Sequence, residues 1–397
     1  MRNISIHFLF VMFVTLVTTR GASACIWDTD TLAQEMSRFP TVRELIAGKF
    51  LRHSVPFYQW RATDRQRRID AGTATEGDYD DLAVAFDKLG RHEDAIRLMT
   101  ERLAIDPTRY ETVANLGTFY IHAGNFEEGK KFIQQAIEIN PDAHFGREKY
   151  QLLLVEYVQS RRGESGEIPT PLSEWKNSYQ YSGFAEWVLD HQLPAVEPGQ
   201  QGENYSQTKQ RQQEELQRAI QGVLGMMRFG KHDSPILLEA LGDLLVGRIE
   251  VDARHLSART YLRAADIVQD PEAKTKYRER AKSVIAPHES VELEQVEARL
   301  REEIKEANQW YADLEQQEQA WTSPDSKLDP EKQFNTLYAN PPELSRTDTE
   351  VWTGVALDPA SAKSLDLRHY LQAAVVLAVI IALAAWYFRH RKATPVP

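Results

Sequence analysis

The sequence predicts an all-α protein: a solenoid of stacked helix pairs with an irregular insert, a long amphipathic helix and one C-terminal transmembrane helix. Three observations carry this. "LAVAFDKLGRHEDAIRLMTERLAIDP" (Leu82–Pro107) and "LGTFYIHAGNFEEGKKFIQQAIEINP" (Leu116–Pro141) superpose at a 34-residue period, each with apolar residues three or four apart. Leu293, Val296, Leu300, Ile304, Ala307, Tyr311 and Leu314 repeat the three-and-four cadence of a heptad stripe. The stretch from Tyr370 to Phe388 is almost free of charge.

Composition narrows the function. A chain of 397 residues, 42% hydrophobic and 26% charged, holds two or three globular domains. Its net charge of −11 argues against nucleic-acid binding, which needs clustered Lys and Arg on the phosphates. The single cysteine, Cys25, permits no internal disulfide, cysteine zinc site or thiol pair.

The ends agree on topology. Residues 1–24 have a charged start, an apolar run from Ile4 to Val17 and the small-x-small pattern Ala22-Ser23-Ala24, the marks of a secretory signal peptide. Cleavage leaves Cys25 first, a position that resembles the lipoprotein processing site of bacteria, with Ala22 where that site usually has Leu; simple cleavage, lipidation of Cys25 and a retained membrane anchor are the readings. At the other end, 369–389 is long enough to cross a ~30 Å hydrocarbon core. Arg389, Arg391 and Lys392 follow it and keep the tail 390–397 in the cytoplasm. The body is therefore expected outside the cytoplasm, periplasmic and held to a bacterial cell membrane by a single pass.

Residues 25–75 read as an N-terminal helical cap. Thr41 and Glu44 make a capping box for a helix from about Val42 to Arg52, and a second helix runs from about Pro56 to Asp70. The cluster Arg52, His53, Tyr58, Trp60 and Arg61 reads as aromatic cover for the next domain rather than as a ligand site. The repeats occupy 76–160, as units 76–109 and 110–143 and a partial unit 144–160 whose second helix does not follow. Gly90 and Gly124 mark the turns, small residues (Ala83/Gly117, Ala95/Gly129) mark close helix contacts, and a proline ends each unit. No unit can bury its stripe alone, so neighbours stack.

This 34-residue helix–turn–helix texture resembles the tetratricopeptide repeat (TPR), strongly over about Glu76 to Pro141. The resemblance implies a TPR-like α-solenoid that binds a protein or peptide in the groove of its first helices. By register, that groove is lined by Asp80, Asp81, Val84, Asp87 and Lys88, then Ala114, Asn115, Thr118, Ile121 and His122, then Glu148, Lys149, Leu152 and Val155. Asn115 stands where groove asparagines of the family often bind a peptide backbone amide. The double-lysine clamp of chaperone-binding members is not reproduced, since Asp80 and Ala114 occupy positions that matter. Each of these residues has a bland alternative, a solvated helix face.

Residues 161–213, rich in Pro, Gly, Ser and Gln, read as an insert or linker with an aromatic, ordered centre. Residues 214–288 are helical with a degenerate repeat: Leu241-Gly242 with Leu245 matches Leu116-Gly117 with Tyr120, and four extra residues are assigned to its turn. Residues 289–321 form the amphipathic helix, which either self-associates as a coiled coil or lies on its own body. Residues 322–368 read as a juxtamembrane stalk with little regular structure.

No catalytic motif is present, and the eleven histidines show no ligand spacing. The expected function is a membrane-anchored, extracytoplasmic interaction scaffold without catalysis, cofactor or metal. The alternatives are an enzyme with its site in the aromatic insert 169–192, or an envelope protein that self-assembles into a homo-oligomer through 289–321.

Overall fold

The computed structural model describes residues 26–141, 146–164, 166–177, 180–193, 205–248, 251–287 and 292–345. Residues 1–24, expected as a signal peptide, Cys25 and 369–389, expected as a transmembrane helix, lie outside them. Among the described residues no helix is long and apolar enough to cross a membrane, and all regular structure is helical.

The chain begins with two short helices, α1 (Thr31–Met36) and α2 (Val42–Ala47), and then α3 (Val55–Asp70). The two repeats follow as α4 (Glu76–Lys88) with α5 (His92–Ile105) and α6 (Tyr110–His122) with α7 (Phe126–Ile139). Next come α8 (Arg147–Ser160), α9 (Gly183–Gln192) and α10 (Tyr205–Met226). A wide turn leads into α11 (Pro235–Val246), α12 (Val251–Ile267), α13 (Pro271–Ile285), α14 (Leu293–Trp321) and α15 (Pro330–Leu337). From α3 to α8 each helix packs on the next, α8 packs on α10, and the sequence of neighbours continues to α13.

The expected capping box is present: the Glu44 amide donates to Thr41 Oγ1 at 3.2 Å, and the Thr41 amide donates to Glu44 Oε2 at 2.7 Å. α2 nevertheless stops at Ala47, short of the expected Arg52, because Gly48 takes a left-handed φ of 88°. Within the repeats, a Cβ on Gly117 would lie 2.6 Å from Ile133 Cδ1, and one on Gly129 2.6 Å from Ile121 Cγ1. The paired helices approach closely enough that only glycine fits. Gly242 has the same relation to Thr260 and Tyr261, at 2.5 and 2.7 Å, so α11 and α12 meet as α6 and α7 do. The extra residues of this degenerate unit lengthen the start of α12, which begins seven residues before Ala258, whereas α7 begins three residues before Gly129.

Four expectations are corrected. The third unit, expected as a lone helix, has a packing partner: α10 covers α8, and a Cβ on Gly222 would lie 2.8 Å from that of Tyr150. The insert 161–213 has its expected ordered centre in α9, which wedges among α8, α10 and α11 with Phe184, Ala185 and Val188 fully buried; its C-terminal bound is what changes, because α10 starts at Tyr205. The coiled-coil reading of 289–321 gives way to its alternative: α14 lies on α12, α13, α2 and α3, burying Val296, Leu300, Ala307 and Leu314. Most of its apolar stripe is thus covered by its own body, with Leu293, Ile304 and Tyr311 half-buried at the margin.

The fourth correction concerns the stalk, which begins as folded structure. Asp329 caps α15 by accepting the amides of Glu331 and Lys332 at 3.1 and 3.2 Å, and Phe334 is fully buried. Beyond it, Arg38 donates to the Pro342 carbonyl at 2.7 Å and the Leu344 amide to Glu44 at 3.3 Å. The two ends of the folded body therefore meet. Truncating the buried ring, Phe334→Ala, is predicted to cost about 3–5 kcal/mol in denaturant unfolding of the whole body; a free stalk would show almost no change.

Candidate functional site

The groove formed by α4 and α6 is occupied by the chain's own N-terminal segment. Asn115, fully buried on α6, accepts the Trp27 amide at 2.7 Å through Oδ1 and donates to the Trp27 carbonyl at 3.1 Å through Nδ2. It grips one residue's backbone by both its donor and its acceptor. On α4, Asp81 accepts the Thr29 amide at 2.8 Å and the Thr29 hydroxyl at 3.1 Å. Ile26 is buried with Leu82, Phe86 and Leu116 in the core of the first two repeats.

The segment's acidic side chains meet cations from the cap. Arg61 of α3 is wholly buried; Nη2 lies 2.7 Å from Asp30 and 3.2 Å from Glu331 of α15, and Nη1 lies 3.4 Å from Asp28. One turn on, Arg65 pairs with Asp81 at 2.7 Å and Asp64 at 2.7 Å. His53 joins three segments: Nε2 meets Asp30 at 2.8 Å, Nδ1 meets Glu318 of α14 at 2.6 Å, and the ring stacks on Phe57 at 3.6 Å with Phe334 near its other side at 3.8 Å. Burial alone would depress the imidazole, but the Asp30 and Glu318 carboxylates outweigh it and raise its pKa above 6.5. Burial, then Asp30 beside it, pushes the Asp28 carboxyl up to about 6. Asp30 itself is held well below the usual carboxylate range, because Arg61 and His53 together overcome its burial. The cluster read as aromatic cover is thus a buried polar junction.

The other expected groove residues divide between the fold and the rim. Asp80 accepts from Arg109 Nη1 at 2.8 Å, and Val84 and Ala114 are core. Thr118 accepts from Gln151 at 3.3 Å, Glu148 accepts the Tyr110 hydroxyl at 2.6 Å, and Val155 is buried. Lys88 donates to the carbonyls of Phe229 and Gly230 at 2.6 and 2.8 Å. Ile121, Lys149 and Leu152 are half-buried on the rim, and His122 is exposed. Asp87 is gathered with His92 and His122, a convergence invisible at sequence spacings of 5 and 30.

The aromatic insert is pinned by a second buried acidic pair. Glu239 accepts the Leu172 amide at 3.0 and 2.9 Å, the Tyr277 hydroxyl at 2.7 Å and Arg280 at 2.9 Å; Asp243 accepts the Phe184 amide at 2.9 Å and the Tyr261 hydroxyl at 2.7 Å. Burial and then the Glu239 charge push Asp243 up to about 7. Beside α9 lies a hollow of about 630 Å³, open to solvent and bordered by Lys176, Tyr181, Glu186 and Lys209. Lys176 and Glu186 pair with each other at 2.6 Å across it.

Residues 88–152, from the end of α4 into α8, match the tetratricopeptide repeat family. No curated protein matches the chain.

Two predictions follow from the geometry. Asn115→Ala leaves the Trp27 amide and carbonyl without their partner and is expected to cost about 1–3 kcal/mol by denaturant unfolding; a loss below about 0.5 kcal/mol would mean water replaces the side chain freely. For His53, a folded pKa above the unfolded value near 6.5 gives stability that is complete below about pH 6.5 and is lost as pH rises through the folded pKa. The stability gap between the native chain and His53→Asn should therefore be widest near pH 6 and narrow toward pH 9, whereas a pH-independent gap would contradict a charged His53.

Proposed function

We propose that this tetratricopeptide-repeat chain is an interaction scaffold of the bacterial cell envelope, its groove built to read a short acidic peptide segment and loaded with its own. In this reading the body lies outside the cytoplasm, the helix 369–389 ties it to the membrane and 390–397 is the cytoplasmic tail. Residues 26–31 are the resident occupant, beginning one residue after Cys25. The partner is a protein presenting a segment of the same chemistry, an aromatic residue followed by two carboxylates, which exchanges with the resident. The proposal assigns the protein no reaction, in line with the usual role of these repeats as non-catalytic modules.

The grip of Asn115 on the Trp27 backbone carries this reading. Backbone recognition by an amide side chain is independent of sequence, so a groove that holds one such segment can hold another. The guanidinium of Arg61 and the imidazole of His53 supply the preference for acids. Lys149 and Leu152, half-buried at the rim, lie where an incoming segment would pass.

The test is a photo-crosslinking residue at Leu152 in the full-length chain, irradiated in native membranes. A discrete protein adduct is expected, increasing several-fold when Asn115→Ala loosens the resident segment. Only intramolecular products in both forms would overturn the reading.

A further inference from the structure

At the joint between the first two repeats, three ligand-type side chains from three helices converge. Asp87 lies in the last turn of α4, His92 opens α5 after the turn at Gly90, and His122 ends α6. The repeat brings them together: His122 holds in the second unit the register that Lys88 holds in the first, and stacking sets it over the first unit's turn. His92 Nδ1 lies 2.7 Å from Asp87 Oδ1, and His122 Nδ1 lies 2.9 Å from Oδ2. One ligand atom from each residue can be chosen so that all lie within 4.8 Å of one another.

The partners of Asp87 set it apart from most of its buried counterparts. Asp30, Asp80, Asp81, Glu239 and Glu303 are each answered by an arginine. Asp87, nearly as buried, is met by two imidazoles, and the adjacent Lys88 ammonium donates to the carbonyls of Phe229 and Gly230. Both rings are about one-third exposed, at 29% and 31%, which leaves a path for an ion and room for a water.

We propose that Asp87, His92 and His122 form a binding site for a zinc-class divalent transition metal, with solvent as the fourth ligand, clipping the first repeat to the second. Two nitrogens and one carboxylate oxygen suit Zn²⁺ and exclude the all-oxygen preference of Ca²⁺ and Mg²⁺. Tetrahedral bonds of about 2.0–2.1 Å place ligand atoms about 3.3–3.4 Å apart; the two imidazole–carboxylate contacts, at 2.7 and 2.9 Å, open by roughly half an ångström to reach this, and the three atoms already lie within 4.8 Å of one another. Metal at Nδ1 takes the place of any ring proton there: a neutral imidazole carries its proton on Nε2 instead, and an imidazolium releases one to solvent. The clip stands independently of the scaffold reading, because it joins helices of one chain and needs no partner.

The full-length chain, purified in detergent and stripped with a chelator, is titrated with Zn²⁺ by calorimetry and its thermal unfolding followed with and without metal. One Zn²⁺ per chain and a rise in Tm are expected, both abolished in His92→Ala and in His122→Ala and retained in His191→Ala, an exposed histidine elsewhere. His122→Gln serves as a second variant, and its metal-free Tm reports that it folds. Co²⁺ in place of Zn²⁺ should give the intense visible absorption of four-coordinate cobalt. No stoichiometric binding, or binding that survives loss of either histidine, overturns the site.

Discussion

Arg61 is the constraint on which the rest of the structure depends. Its guanidinium is wholly buried on α3, where an unpaired charge would cost several kcal/mol. Asp28 and Asp30 from the N-terminal segment and Glu331 from α15 converge on it. Once α3 packs on α4, both ends of the folded body must enter the interior to neutralise that charge. Such pairs add little net stability over an apolar core of similar shape, but leaving any member unpaired is costly. The network therefore selects one arrangement of the ends rather than simply strengthening the fold.

That arrangement explains why α4 and α6 are buried on nearly every side. A solenoid of two regular repeats has little core of its own, and its exposed inner face needs a cover. Here the cover is the chain itself: Ile26 fills the apolar part of the groove, Trp27 satisfies Asn115, and Thr29 satisfies Asp81. α14 then spans from α12 and α13 back to α2 and α3, so the last helices hold the first. His53 ties the two layers, one nitrogen on the N-terminal segment and the other on α14. A groove satisfied in this way binds nothing further unless its resident leaves, so any partner must supply the same contacts.

The repeat units were legible because their determinants are local and periodic. The 34-residue register placed Gly117, Gly129 and the turn glycines where close contacts and left-handed backbone require them. Even the degenerate unit could be read from Gly242, although the extra residues went into α12. The groove's occupant could not be read in this way. Asn115 and Trp27 are 88 residues apart and His53 and Glu318 are 265 apart, and pairings at such separations leave no period. α15 did carry a signal, in Asp329-Pro330 before an apolar island, a helix start that surrounding prolines and polar residues concealed. The histidines leave no linear signal for a similar reason, since they meet across a repeat joint rather than along one helix. Asn115 stands at the register where the resemblance implies binding of a peptide backbone, and it binds one that belongs to the same chain.

The most direct measurement is hydrogen–deuterium exchange of the peptide covering residues 26–31 in the full-length protein. The Trp27 and Thr29 amides donate to buried side chains on α6 and α4. The account predicts protection comparable to the amides of those helices, released only with opening of the repeats. Exchange at the rate of a free peptide, while α4 and α6 remain protected, would show that the groove is empty and contradict the account.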